Sequence, residues 1–338
     1  MPGMIDLSVL DLAPIAEGST AAEAIRHSVD LAQHAEAAGY KRYWLAEHHN
    51  MEGLACSATA VLIAHVAAAT KSIKVGSGGI MLPNHAPLVV AEQFGTLATI
   101  YPGRIELGLG RAPGTDQPTM RALRRTLAHA DQDGFPQDVL ELQAYLAPAQ
   151  PGQVVRAIPG VGTEVPIWIL GSSLYGAQLA AHFGLPYAFA SHFAPDALLQ
   201  ALQIYRATYK PSARWPKPQA MVAVNVVAAD TDEEAAFHFT SIQQRFLGMQ
   251  RGIRGPLPRP VANMDALWTG QERLGVERML ACSAVGGPDR VLQQLGRILD
   301  ATQADELIVA GAMHSHAARV RSYQILASLR SKLGVPAA

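Results

Sequence analysis

Short apolar runs alternate along the chain with longer segments whose apolar residues recur at helical spacing. The runs predict strands at residues 5–11, 43–46, 73–79, 105–109, 165–170, 187–190, 220–228 and 306–310. Between and after them the spacing predicts helices at about 20–38, 57–69, 87–100, 136–146, 174–183, 195–209, 232–249, 288–301 and 317–333. The first helix opens on a capping box, Thr20 followed three residues later by Glu23, and ends at Gly39. Nearly every strand is apolar on both faces, as in parallel sheets covered by helices. Eight strand–helix units favour a closed (β/α)8 TIM barrel over an open sheet. Two stretches break the alternation, residues 112–162 after strand 4 and 251–281 after strand 7. They read as long insertions in one barrel domain spanning residues 1–338, since the pattern resumes after each.

Composition narrows the function. Hydrophobic residues make up 49% and charged residues 16%, which suits a large buried core. A net charge of −1 gives no footprint for nucleic acid or an anionic membrane. Cys56 and Cys282 are too few for a disulfide framework or a four-cysteine zinc site. No signal-peptide pattern and no membrane-length apolar run is visible, so a cytoplasmic protein is expected.

Barrel active sites lie at the C-terminal ends of the strands. Polar and glycine residues are dense there: Asp11, Glu47-His48-His49-Asn50, Gly78-Gly79, Pro83-Asn84-His85, Gly110-Arg111, Gly171-Ser172-Ser173, Ser191-His192, Asn225 and Met313-His314-Ser315-His316. Adjacent glycines weaken a strand, so Gly78-Gly79 marks either a bulge or a surface that a flat ring approaches closely. Ser172-Ser173 open a helix, where free N–H groups and hydroxyls suit a phosphate; Arg111 could face it with a two-pronged contact. Ordinary serine capping is the alternative. Of His48 and His49 only one can face the mouth, because strand neighbours point to opposite sides. The histidines admit a metal reading, but no acidic residue is well placed after the last strand, so no metal site is assigned.

These residues carry a likeness. Trp44-Leu-Ala-Glu-His-His-Asn50, Val75-Gly-Ser-Gly-Gly-Ile-Met-Leu-Pro83, Val90-Ala-Glu-Gln-Phe94 and Pro102-Gly-Arg-Ile-Glu-Leu-Gly-Leu-Gly-Arg111 resemble the bacterial luciferase-like monooxygenase family. Val165-Pro-Ile-Trp-Ile-Leu-Gly-Ser-Ser173 and Gly184-Leu-Pro-Tyr-Ala-Phe-Ala190 resemble its single-chain subgroup. The resemblance implies a barrel using reduced FMN and O2 on a small organic substrate, or in some relatives the deazaflavin F420 in hydride transfer; a non-catalytic flavin-binding protein is a further alternative. It implies a non-prolyl cis peptide at Gly78-Gly79 beneath the flavin ring. It also implies phosphate contacts from Arg111, Ser172, Ser173, Leu174 and Tyr175, and acid/base work by His48 with Glu47 beside it. Gly110 stands where luciferase has a reactive cysteine, so light emission is not carried over. No nicotinamide fingerprint follows the first strand, so a separate flavin reductase is expected to supply reduced FMN. A homodimer and a mobile lid at residues 251–281 are expected by the same likeness. Met81, Met313 and Trp268 hint at an apolar substrate.

Overall fold

A computed structural model describes residues 4–112, 114–123 and 134–334 of the chain. Among the described residues are nine parallel strands: β1 (Asp6–Asp11), β2 (Arg42–Leu45), β3 (Lys74–Met81), β4 (Ile105–Gly110), β5 (Ile167–Gly171), β6 (Tyr187–Phe189), β7 (Ala220–Ala228), β8 (Ser283–Gly286) and β9 (Glu306–Ala310). Strands β1 to β7 pair in sequence, β7 pairs with β9, and β9 returns to β1, which closes an eight-strand barrel. The expected fold is therefore correct. The strand taken as the eighth is β9. Strand β8 was missed; it lies outside the ring, on the outer half of β7 from Asn225 to Ala228. Four residues between polar turns are too short to announce a strand.

Helices α1 (Ala21–Ala37), α2 (Thr59–Ala69), α3 (Pro87–Ile100), α4 (Gln117–Leu123), α5 (Phe135–Leu146), α6 (Leu174–Phe183), α7 (Leu198–Thr208), α8 (Asp232–Gln250), α9 (Gly270–Met279), α10 (Pro288–Thr302) and α11 (His316–Leu329) complete the described residues. The capping box at Thr20 and Glu23 forms in both directions. Two corrections concern the insertions. Segment 112–162 holds α4 as well as α5, and its residues 113 and 124–133 lie outside the described part. Segment 251–281, expected to be irregular, contains α9, whose Thr269 and Glu272 make a second capping box.

The strands are less uniformly apolar inside than their sequence pattern implies. At the N-terminal end of the barrel the buried Arg42 guanidinium reaches Glu106 and Glu306, each at 2.8 Å. The Ser8 hydroxyl donates to Glu306, and the Trp44 indole N–H donates to Glu106 at 3.2 Å. This ion cluster closes the bottom of the barrel and leaves the opposite end for chemistry. No helix among the described residues is long and apolar enough to cross a membrane.

Candidate functional site

Three groups of residues lie at the C-terminal ends of the strands. The first ties β2 to β3. Glu47 is buried, and one carboxylate oxygen accepts from His49 Nε2 at 2.7 Å and His85 Nε2 at 2.8 Å. Its other oxygen accepts the Met81 N–H at 3.1 Å. Burial alone would raise the Glu47 pKa, but the bonds from His85, His49 and the Met81 amide bring it below the usual value. The group stays an ionised tether. Carboxylate and imidazole atoms here lie within 4.8 Å of one another, as metal ligands could. Yet both Nε2–O separations are hydrogen-bond lengths, shorter than the ~3.3 Å between neighbouring ligands of a tetrahedral ion with ~2.0 Å bonds.

The neighbouring His48 meets a different set of groups. Its Nδ1 lies 3.9 Å from Cys56 Sγ, and Arg245 of α8 and His192 after β6 stand near it. Burial, reinforced by the Arg245 charge, lowers the His48 pKa to about 4 against the opposing pull of Glu47. Burial next to His48 lowers His192 to about 3. Burial pushes the Cys56 thiol up to about 12. All three groups are therefore neutral at neutral pH. Both cysteines are buried and free.

The second group is Gly78-Gly79. Their peptide bond is cis, and the β3–β4 register shifts between Ser77 and Ile80. A Cβ on Gly79 would sit 2.7 Å from the Gly108 carbonyl oxygen; one on Gly78 would sit 2.6 Å from Leu10 Cδ1 and 3.1 Å from Trp44 Cβ. Backbone packing therefore dictates glycine at Gly79, while a side chain at Gly78 would require Leu10 to move. The bulge alternative matches the register shift; Gly78 is half-buried and Gly79 is buried. The strand continues two residues beyond the expected end, to Met81.

The third group joins β4 to α6. Arg111 is exposed, and its guanidinium carbon lies 4.3 Å from the centre of the Tyr175 ring. Tyr175 is the second residue of α6, whose N-cap is Ser173 in extended conformation. Neither hydroxyl caps the helix, so the capping alternative for this serine pair is not what the structure adopts. The start of α6 at Leu174 and Tyr175, two hydroxyls and a nearby guanidinium fit a phosphate in donor type and charge. The Tyr187 hydroxyl donates to the Ser173 carbonyl at 3.2 Å and fixes the loop from below.

Other expected residues sit elsewhere. Asp11 is paired with Arg319 at 2.7 Å, inside the wall. His316 binds Asp30 at 2.7 Å and stacks on His27, while His314 meets the Glu17 carbonyl at 3.0 Å; both face α1 or its approach and not the histidines after β2. Met313 and Trp268 share a small hydrophobic cluster with α8, α9 and Met264. Sequence reasoning missed Arg245. Its signal was a lone charge on the α8 face that also carries the buried Ser241, one turn earlier.

Segment 251–269 reaches across the same barrel end. Leu257 exchanges backbone hydrogen bonds with Ile15 and Glu17 after β1, Gly255 packs against Gly53 after β2, and Arg254 pairs with Asp116 after β4 at 2.8 Å.

Comparison with known proteins agrees with this geometry. The family model described as luciferase-like monooxygenase matches residues 5–306. A luciferase-like monooxygenase of Escherichia coli strain K12 is 56% identical over 329 residues, covering 97% of this chain and 98% of that protein. The crystal structure of apo-MsnO8 superposes with a TM-score of 0.90 at 38% identity, covering 98% of this chain and 99% of that one. The oxygenating constituent of 3,6-diketocamphane monooxygenase from Pseudomonas putida, solved in complex with FMN, shares the fold with a TM-score of 0.74 at 18% identity, covering 99% and 100%. The chain belongs to the luciferase-like monooxygenase family.

Proposed function

We propose that this protein is a flavin-dependent monooxygenase that uses reduced FMN and O2 on a small organic substrate. One observation carries the reading: Arg111, Tyr175 and the uncapped start of α6 converge at the same barrel end as the Gly78-Gly79 backbone. That arrangement offers a place for a phosphate and, across the strand ends, a place for a flat ring.

When bound, FMN supplies the activation of O2 and the transfer of one oxygen atom. The chain's own residues do the rest. Arg111, Ser172, Ser173 and the amides of Leu174 and Tyr175 hold the phosphate. Gly78-Gly79 supports the ring, with Leu10, Trp44 and Gly108 fixing the pair from beneath. His48 Nε2 has no protein partner among the described residues, and the neutral imidazole accepts a proton there. Glu47 is a positioning residue: it locks His49, His85 and the end of β3 in place, which sets where His48 points. Segment 251–269 excludes water from the mouth. Reduced FMN comes from a separate reductase.

The experiment is oxygen uptake by the purified protein with FMN, a flavin reductase and its nicotinamide, over a panel of small organic compounds in isotope-labelled O2. The reading requires one labelled oxygen atom in the product. Turnover with reduced F420 and no oxygen uptake would instead assign hydride transfer. Flavin binding without product on any compound would leave a flavin carrier.

A further inference from the structure

The arginines built into the barrel wall all have partners. Arg42 is held by two carboxylates, Arg319 by Asp11, Arg330 by Asp6, and Arg104 by carbonyls and the Thr70 hydroxyl. Arg245 differs. It is half-buried on α8, and among the described residues it makes no ion pair and no hydrogen bond. Burial pulls its pKa down, but a guanidinium does not lose its proton in a protein. The positive charge remains and has no counter-ion among the described residues.

Its surroundings provide none. His48 and Cys56, the groups that feel it, are neutral at neutral pH. The nearby carboxylates are committed: Glu47 to two histidines and an amide, Asp11 to Arg319. Two further polar atoms in this neighbourhood are buried without a partner: His192 Nδ1, beside His48, and Ser241 Oγ, one turn before Arg245 on α8. A partly desolvated cation without a counter-ion opposes its own burial, and proteins break such rules chiefly at functional sites. The phosphate-type residues Arg111, Ser172 and Ser173 follow β4 and β5, whereas Arg245 lies on α8 beside His48.

We propose that Arg245 recognises a carboxylate on the organic substrate, with His192 and Ser241 as auxiliary polar contacts. One guanidinium balances one negative charge, and its planar fork matches the two oxygens of a carboxylate. The assignment rests on the reading of this barrel end as the substrate site. It places the acid group on the His48 side of the mouth, away from the phosphate contacts. Binding would also neutralise the charge that depresses His48, making that imidazole a better proton acceptor in the complex.

The test is calorimetric titration of hexanoate and of its neutral isostere hexanamide, into both FMN-loaded and flavin-free protein. Wild type should bind hexanoate roughly 10- to 100-fold more tightly than hexanamide, the range for a hydrogen-bonded charge. Arg245→Met should abolish that preference with FMN affinity unchanged. Arg245→Met also removes an unpaired charge, so its melting temperature should not fall. Should it fail to fold, Arg245→Lys keeps the charge without the fork and should retain a weakened preference. Equal binding of acid and amide, binding of neither, or a preference that survives Arg245→Met each overturns the proposal. So does a loss of FMN affinity in Arg245→Met, which would assign the residue to the cofactor. If FMN does not bind wild type, the flavin reading fails, and the flavin-free titration still decides the role of Arg245.

Discussion

At the scale of single residues, the two adjacent groups Glu47 and His48 divide their work by direction. The carboxylate faces His49, His85 and β3, and the imidazole faces Cys56, His192 and Arg245. His48→Gln should therefore lower turnover while leaving FMN affinity nearly unchanged; equal losses in both would make it a packing residue. The histidines also bear on stability. His48 and His192 have folded pKa values of about 4 and about 3, below the ordinary histidine value of 6.5. The unfolded chain then binds protons that the folded chain refuses. Stability is full above pH ~6.5 and declines as pH falls toward 4. Thermal melts of His192→Gln between pH 7 and 5 should show a flatter decline than wild type, read by the melting temperature at each pH. Arg111→Ala should weaken FMN binding by ~1.5–3 kcal/mol, the range for a hydrogen bond to a charged group. Sequence alone located these residues because each follows a strand. It could not show that both Glu47 oxygens are occupied, since His85 and Met81 reach it from another strand. Arg245 escaped notice for the same reason: what makes it unusual is the absence of a partner, which only the assembled barrel reveals.

At the scale of elements, the barrel strands were legible because each is a short apolar run between turns. What escaped was small or locally polar. Strand β8 has four residues, and α9 is a polar helix with one fully buried side chain, Val276, so its apolar stripe is too thin to register. Its capping box at Thr269 and Glu272 was readable and is the signal that should have marked it. The buried charges Arg42, Glu106 and Glu306 each stand at or near a strand start, where they look like solvated ends; closure of the ring turns them toward one another. The β3–β4 contact is the element on which the site depends. Gly79→Ala places a methyl group 2.7 Å from the Gly108 carbonyl, against backbone that cannot swing aside. Overpacking of this kind costs about 1–3 kcal/mol. Denaturant unfolding should show that loss, together with weaker FMN binding because the strand ends separate.

At the scale of the whole molecule, the N-terminal barrel end is closed by ions and the C-terminal end by segment 251–269, which touches the loops after β1, β2 and β4. The Arg254–Asp116 pair holding that segment is solvent-screened, so it adds little to stability. Arg254→Ala should leave the melting temperature nearly unchanged but speed proteolytic cleavage within the segment and raise product-free consumption of reduced flavin; unchanged cleavage and coupling would remove the segment from that role. The position of this insertion was visible in the sequence, whereas the loops it spans were not, because those contacts join residues more than a hundred positions apart. The account stands or falls on flavin at the strand ends. Anaerobic titration of the purified protein with reduced FMN, followed by calorimetry, tests that most directly. The account predicts saturable one-to-one binding that weakens in Arg111→Ala and in Ser172→Ala. Absence of saturable binding, or binding indifferent to both substitutions, would contradict it.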